Sequence, residues 1–357
     1  MKRIAGLLPA LAVAMGVIAV SADRAPFYAD KLNVMQVQDD QGHLLPVRDA
    51  ADWRLRRAHI VANMQLVMGP LPTGRGELAP EVEVLWEEEE PSFTLRKITY
   101  LAEPGDRVPA WLFVPTGAKE LRPGCVCLHQ TTAIGKDEPA GQGGLENLHY
   151  ARELAQRGLV TIAPDYPGFG EYQIDAYAMG YVSATMKGIC NHMRAVDVLQ
   201  SLPEVDPERI GCVGHSLGGH NTLFLAVFDE RVKVAVTSCG FNSFARYMEG
   251  DLTGWSHRGY MPRIAELYGT DPTRMPFDFT EVLAAVAPRA VFINAPVGDS
   301  NFAVEGVYDC INAAAPVYCL LGAPERLVAA HPDCGHDFPP ATREQAYEFM
   351  ARALRGR

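Results

Sequence analysis

Several features that mark other functional classes are missing from this 357-residue chain. It has no run of five or more basic residues, and its formal net charge is −11 at pH 7, which argues against a nucleic-acid-binding protein. No pair of cysteines or histidines has the spacing of a zinc site. There is no internal repeat, and beyond the N-terminus no apolar stretch is long enough to span a bilayer. What remains is an ordinary globular composition, 48% hydrophobic and 21% charged.

The N-terminus has the pattern of a secretory signal peptide. Lys2 and Arg3 precede an apolar run over residues 4–20, and small residues suited to cleavage follow it. We therefore expect residues 1–22 to be removed and the protein to be periplasmic or secreted. A short membrane anchor is the alternative, because the run barely reaches spanning length. Export would permit disulfides among the eight cysteines, but their pairing does not follow from the sequence.

The most informative stretch covers residues 211–228. An apolar segment ends in the pattern Gly-x-Ser-x-Gly, with Ser216 at its centre, and a second apolar segment typical of a buried helix follows. Strand, sharp turn and helix in this order predict a nucleophile elbow, in which Gly214 and Gly218 leave room beside the serine. The helix N-terminus behind Ser216 adds partial positive charge where negative charge would develop. The alternative is a glycine-rich turn that only packs.

Alternating strand and helix patterns predict an α/β fold, with a mostly parallel central sheet and helices on both faces. Residues 23–93 are expected to form an N-terminal arm and a helix that begins near Asp49, and residues 94–357 the α/β domain. Residues 240–281 interrupt the alternation with glycines, prolines and aromatics, which indicates a lid-like insertion over the sheet edge. The acidic run at 87–90 is expected to be solvated surface. The strands are predicted at 94–101, 110–114, 123–128, 159–163, 210–213, 232–238, 290–294 and 326–330, and the main helices at 145–157, 186–202, 217–228 and 342–354.

Three reactive residues each come just after a predicted strand, in the order Ser216, Asp299, His336. Ligands of parallel sheets bind at the carboxyl ends of the strands. A serine hydroxyl needs a base within hydrogen-bond reach, and that base needs an acid to fix its tautomer. We therefore predict that His336 takes the proton of Ser216 and that Asp299 orients His336. Asp309 and Asp333 are the alternatives for the acid.

A tetrahedral intermediate at Ser216 would need two backbone donors for its oxyanion. The first is predicted to be the N–H of Leu217, directly after the nucleophile. The second should come from the loop after the strand at 123–128, where we favour Thr131 over Gln130. His129 is expected to brace this loop rather than to react.

The remaining candidates are weaker. Trp255 and Tyr260 lie in the predicted insertion and could contact substrate, although packing of the core or lid explains them equally well. His220 is expected to pack on its helix. No metal site and no cofactor are predicted, because the proposed chemistry requires neither.

From about residue 94 to its end, the chain resembles the α/β-hydrolase superfamily, and within it dienelactone-hydrolase-like and acetyl-xylan-esterase-like serine hydrolases. The resemblance rests on Gly-His-Ser-Leu-Gly-Gly at 214–219, Ala-Pro-Asp-Tyr-Pro-Gly-Phe-Gly at 163–170, Asp299, and Gly-His-Asp-Phe-Pro at 335–339. These motifs are specific for the fold and the catalytic machinery, and weak for substrate. Two departures stand out. The resembled esterases have His-Gly where this chain has His129 followed by glutamine, and dienelactone hydrolases proper are shorter and use a cysteine nucleophile.

We therefore expect an exported serine esterase that cleaves carboxylic esters through an acyl-enzyme, with acetyl or aryl esters of polysaccharides as the suggested substrates. The preference for esters over amides is implied by the resemblance. A serine peptidase of the prolyl-oligopeptidase type is the alternative enzyme, and a non-catalytic binding protein of the same fold is the alternative from another class. A small-molecule or carbohydrate ester is the expected partner, with no nucleic acid and no stable membrane association. Acyl length and oligomeric state stay open.

Overall fold

Nine strands form one sheet in the computed structural model, which describes residues 25–74, 78–117 and 120–355. The predicted signal peptide at 1–22 lies outside these residues. The strand order is β11-β10-β9-β8-β6-β7-β5-β4-β3. Strands β6 to β11 run parallel, whereas β3, β4 and β5 are antiparallel and extend the sheet at one side. The strands are β3 Glu83–Glu89, β4 Phe93–Glu103, β5 Asp106–Pro115, β6 Arg122–Leu128, β7 Val160–Pro164, β8 Val205–His215, β9 Val232–Ser238, β10 Ala290–Asn294 and β11 Leu327–Ala330.

Helices cover both faces of the sheet, which confirms the predicted fold class. Helices α3 and α4 pack directly on one face, with α6, α7 and α1 outside them, whereas α2 and α8 pack on the other. Because side chains alternate along a strand, β6 serves both layers: Val126 belongs to the first core, and Cys125 and Cys127 to the second. The helices are α1 Ala50–Met68, α2 Tyr150–Gln156, α3 Ala184–Ser201, α4 Leu217–Phe228, α5 Arg263–Tyr268, α6 Phe279–Val286, α7 Val304–Leu320 and α8 Pro340–Ala353.

The sheet begins earlier in the chain than the sequence indicated. Strand β3 occupies Glu83–Glu89, and all seven of its residues are exposed, so no alternation of apolar and polar residues marks it. Most of the acidic run at 87–90, predicted as solvated surface, is the exposed end of this edge strand. Carboxylates on an edge strand discourage pairing with a second sheet. The division of the chain at residue 94 stays a prediction.

The N-terminal segment packs against the main body of the fold. Two short antiparallel strands, β1 Gln36–Gln38 and β2 Leu44–Pro46, precede α1. The carboxylate of Asp49 accepts hydrogen bonds from two N–H groups of the first turn of α1, which fixes where that helix begins. Arg56 of α1 forms a fully buried ion pair with Glu281 of α6.

The segment predicted as an insertion, residues 240–281, consists of short helical turns, helix α5 and the first residues of α6. It follows β9 at the carboxyl edge of the sheet, and Tyr247, Trp255 and Tyr260 from it line a cavity that opens beside Ser216. Among the described residues, no helix combines the length and the apolar character required to cross a membrane.

Candidate active site

Ser216 is the single residue between β8 and α4, at the tip of a tight turn. Its backbone has φ 53° and ψ −114°, a strained conformation for a residue with a side chain. The turn closes tightly: a Cβ on Gly214 would overlap the backbone of Gly218, and a Cβ on Gly218 would overlap the carbonyl oxygen of Leu128. The N–H of Ser216 donates to the Ser238 carbonyl at 2.8 Å. Strain at a single serine, tolerated because glycines flank it, is the geometry of a nucleophile elbow.

Asp299 and His336 form a direct pair on neighbouring loops. Asp299 follows β10, His336 follows β11, and the imidazole Nδ1 lies 2.9 Å and 3.0 Å from the two carboxylate oxygens. The carboxylate also accepts the backbone N–H groups of Asn301 and Phe302, at 2.8 and 3.2 Å. Burial raises the pKa of Asp299, but the hydrogen bonds from His336 and from the two N–H groups outweigh it and hold that pKa below its usual value. An ionised Asp299 therefore fixes the proton of His336 on Nδ1 and leaves Nε2 as the free base.

Asp309, one of the alternatives for the acid, has other partners. It lies on α7, where its carboxylate accepts hydrogen bonds from Ser243 Oγ at 3.1 Å and Arg246 Nε at 3.2 Å. The carboxylate bonded to His336 is that of Asp299.

The ring of His336 lies beside the elbow. Its centroid is 4.8 Å from that of His215, the residue before Ser216, in an edge-to-face arrangement. Burial, with a smaller effect from the nearby His336, lowers the pKa of His215 to about 3, so His215 is neutral near pH 7. His336 is partly open to solvent.

The loop after β6 brings its backbone to the nucleophile. Gln130 and Thr131 line the same cavity as Ser216 and Leu217. His129 Nε2 accepts the Tyr166 N–H at 2.9 Å, so Nδ1 carries the proton and donates to the Gln130 carbonyl at 2.6 Å. In a trans peptide the C=O and the next N–H point in opposite directions. The Thr131 N–H therefore points away from the His129 ring, and its role as the second donor stays a prediction.

Comparisons with known proteins agree with the fold. Residues 176–322 match the family model described as "Glucuronyl esterase, fungi". YtaP of Bacillus subtilis, whose name describes it as a hydrolase, is 25% identical over 302 residues, covering 81% of this chain and 96% of YtaP. A glucuronoyl esterase from Solibacter usitatus superposes with a TM-score of 0.68 at 18% identity, covering 94% of this chain and all of that one. Acetyl Xylan Esterase 1 from Thermoanaerobacterium sp. JW/SL YS485 gives 0.56 at 17% identity, covering 81% and 96%.

The chain has the fold of the α/β-hydrolase superfamily. The order of Ser216, Asp299 and His336 along the chain, each at the carboxyl end of a strand, is the order of this superfamily. The predicted resemblance is thereby confirmed.

The cavity beside Ser216 of this α/β-hydrolase has a volume of about 300 Å³, close to the lower limit of about 300 Å³ for small-molecule pockets. Trp255 and Tyr260, the two predicted substrate contacts, both line it, and the Tyr260 hydroxyl lies 3.0 Å from Thr131 Oγ. No lining residue is acidic or basic apart from a histidine. The lining comprises Gln130, Thr131, Ser216, Leu217, His220, Tyr247, Gly254, Trp255, Tyr260, Asn301 and Phe302.

Sequence reasoning missed five residues of this α/β-hydrolase cavity: His220, Tyr247, Gly254, Asn301 and Phe302. Two of them had a usable signal. His220 lies four residues after Ser216 on α4 and hence on the same face of the helix, and Asn301 lies two residues after Asp299 in the same loop.

A larger groove of about 1330 Å³ lies elsewhere, between α8 and the starts of several strands. Charged residues of both signs line it, none of them from the predicted triad.

One group of described residues in this α/β-hydrolase brings three potential metal ligands together: His215, Cys239 and His336, with ligand atoms within 4.8 Å of one another. Because Nδ1 of His336 is bonded to Asp299, only its Nε2 could serve a metal there. The acyl transfer predicted for Ser216 and His336 needs no metal.

Proposed function

We propose that this protein is a serine esterase that hydrolyses carboxylic esters through an acyl-enzyme, with Ser216 as nucleophile, His336 as base and Asp299 as the orienting acid. The observation that supports it most directly is the pair formed by the buried Asp299 and the partly exposed His336, beside a strained serine at the mouth of an uncharged cavity. Backbone strain and a buried carboxylate are costly to maintain and are expected where they serve chemistry.

The proposed mechanism assigns one step to each of these residues. His336 Nε2 takes the proton from Ser216 Oγ as the serine attacks the ester carbonyl. The oxyanion of the tetrahedral intermediate accepts hydrogen bonds from the N–H groups of Leu217 and Thr131. His336 then gives its proton to the departing alcohol. Water, activated by the same histidine, attacks the acyl-enzyme and releases the acid and free Ser216.

The cavity favours a neutral substrate. Glucuronoyl esterases and acetyl xylan esterases are among the similar proteins, and both names refer to esters of plant polysaccharides. In a uronic acid ester the carboxyl charge is masked, and an acetylated sugar carries none, so either fits a wall without ionised groups. The substrate class is therefore a carbohydrate ester. The serine peptidase remains the alternative enzyme; the wall has no carboxylate to hold the free amino group of a peptide.

The site of action is proposed to be outside the cytoplasm. The basic, apolar and small-residue pattern over residues 1–22 supports export to the periplasm or beyond. This is also where polymeric plant carbohydrates are encountered.

The decisive experiment combines turnover with active-site labelling. A series of p-nitrophenyl esters with acyl chains of two to twelve carbons is measured with the wild type and with Ser216→Ala, alongside peptide p-nitroanilides. We expect ester turnover with a maximum at short chains, none in the variant, and stoichiometric labelling of Ser216 by a fluorophosphonate. Turnover of anilides alone would mean a peptidase. Absence of labelling would favour the binding-protein alternative.

A further inference from the structure

Two side chains that line the Ser216 cavity each carry a buried polar atom without a hydrogen-bond partner: Nε2 of His220 and Nε1 of Trp255. Both side chains are nearly fully buried, at 2% and 3% exposure. An unpaired polar atom in such surroundings costs roughly 1–3 kcal/mol, so buried polar groups are normally satisfied. When two of them line a cavity next to a nucleophile, a ligand is the natural partner.

The protonation of His220 is fixed by its other nitrogen. Nδ1 lies 3.2 Å from the Gly240 carbonyl, which can only accept, so Nδ1 carries the proton. Burial lowers the pKa of His220 to about 3, with a smaller opposing effect from that hydrogen bond. Near pH 7 the ring is therefore neutral, and Nε2 offers a lone pair. It is a hydrogen-bond acceptor that no described protein atom uses.

Trp255 offers the opposite polarity. The indole Nε1–H can only donate, and the ring is held by contacts with Phe244, Tyr247 and Phe279. The centroids of Trp255 and His220 lie 4.7 Å apart at an interplanar angle of 65°. A rigid donor and a rigid acceptor thus stand on neighbouring parts of one wall.

We propose that His220 and Trp255 together bind one hydroxyl group of the substrate, which donates to His220 Nε2 and accepts from Trp255 Nε1. A hydroxyl is the group that satisfies both atoms at once, because it is donor and acceptor in one. A carboxylate could only accept and an ammonium could only donate. This inference rests on the proposed esterase function and makes the pair its specificity determinant.

The position of the pair places the hydroxyl close to the reacting carbonyl. His220 follows Ser216 by one turn of α4, and its N–H donates to the Ser216 carbonyl at 3.2 Å, so the side chains lie on the same face of the helix. A sugar-ring hydroxyl that lies a few bonds from the ester carbonyl could reach the pair while the carbonyl lies at Ser216. The subsite therefore selects sugar esters over equally bulky hydrocarbon esters.

The test compares esters of similar ring size that either carry or lack hydroxyl groups. Methyl glucuronate against methyl cyclohexanecarboxylate places the hydroxyls on the acyl side, and acetylated xylose against cyclohexyl acetate places them on the alcohol side. The quantity is the ratio of kcat/KM for the hydroxylated and hydrocarbon members of each pair. Wild type, Trp255→Phe and His220→Phe are compared. Trp53→Phe is the matched control, because Trp53 of α1 is also a buried indole with an unpartnered Nε1 but does not line the cavity.

We expect the wild type to favour the hydroxylated ester at least about 100-fold in one arm, since a site built around a hydroxyl penalises its loss. The ratio should fall about tenfold or more in Trp255→Phe and in His220→Phe, and stay at the wild-type value in Trp53→Phe. The ester pair whose ratio falls in the variants identifies whether the bound hydroxyl is on the acyl side or on the alcohol side of the ester. Ratios unchanged in Trp255→Phe, or the same fall in Trp53→Phe, would overturn the proposal.

A binding measurement separates this inference from the proposed function. In the Ser216→Ala background, Kd values for the same esters are determined by ligand-observed NMR, with and without Trp255→Phe. Loss of hydroxyl discrimination there, together with an absence of turnover in the wild type, would leave the subsite standing and refute the esterase. Turnover without any hydroxyl preference in turnover or binding would leave the esterase standing and refute the subsite.

Discussion

His192 should make the protein sensitive to acid, and the size of the effect follows from its environment. The side chain lies on α3, is almost fully buried beside Tyr166, and its Nδ1 has no partner. Burial, with a smaller effect from the nearby His129, lowers the pKa of His192 from 6.5 to about 3. The folded protein therefore keeps this ring neutral at pH values where the unfolded chain binds a proton.

The sign and magnitude follow from proton linkage. Because the unfolded state binds more protons, the free energy of unfolding falls as the pH drops from about 6.5 towards about 3. A pH of 5 is about 1.5 units below the pKa of His192 in the unfolded chain, and each unit corresponds to about 1.36 kcal/mol. His192 therefore lowers the free energy of unfolding at pH 5 by about 2 kcal/mol. The contribution vanishes above about pH 7.

The assay is urea unfolding at pH 7 and pH 5 for the wild type and His192→Phe. Other groups titrate as well, but they do so in both proteins and cancel in the comparison. We expect the drop in unfolding free energy between the two pH values to be about 2 kcal/mol smaller in the variant. Tyr166→Phe, which alters the same packing without a group that titrates in this range, should show the full wild-type drop. An equal drop in His192→Phe would refute the reasoning.

Three further predictions concern the site. Asp299→Asn should lower kcat by about 10⁴-fold, because the imidazole loses the partner that fixes its tautomer, whereas Asp309→Asn should keep a kcat near that of the wild type. Steady-state kinetics of both variants test this prediction, and the reverse result would assign the role of the acid to Asp309. His129→Gln should lower kcat more than it raises KM, since the Thr131 N–H loses its orientation, and an effect on KM alone would argue against an oxyanion role. Gly218→Ala should fail to yield folded protein by circular dichroism, because its Cβ would overlap the Leu128 carbonyl; a folded, active variant would contradict the geometry of the elbow.

The buried parallel strands were predictable almost to the residue. Strands β9 and β10 and helix α4 have the predicted bounds, because strands buried on both faces form continuous apolar runs that glycine and proline delimit. Strand β3 escaped prediction because neither of its faces is buried. Strand β8 begins at Val205, five residues before its predicted start, because residues 206–209 are mostly charged and at least partly exposed and so interrupt the apolar pattern.

Some residues of the candidate site could also be predicted from the sequence, and others could not. The three triad positions could be predicted because each follows a strand, and the sheet alone brings strand ends together. Tyr247 and Phe302 of the cavity wall could not be predicted, because they meet there through packing between segments far apart in sequence. No local pattern reports such contacts. The partners of His129 likewise required the structure, since the Tyr166 N–H lies 37 residues further along the chain.

The ion pair between Arg56 and Glu281 limits how this protein can be shortened or recombined. Both side chains are wholly buried, and Arg56 also stacks on the ring of Tyr28. A clone that starts at the first buried strand would leave Glu281 as an uncompensated charge inside the protein, a loss of roughly 3–5 kcal/mol. Chimeras that exchange only the α/β part among relatives would inherit the same defect unless residues 25–68 move with it. The N-terminal segment and α6 should therefore be inherited, and engineered, as one unit.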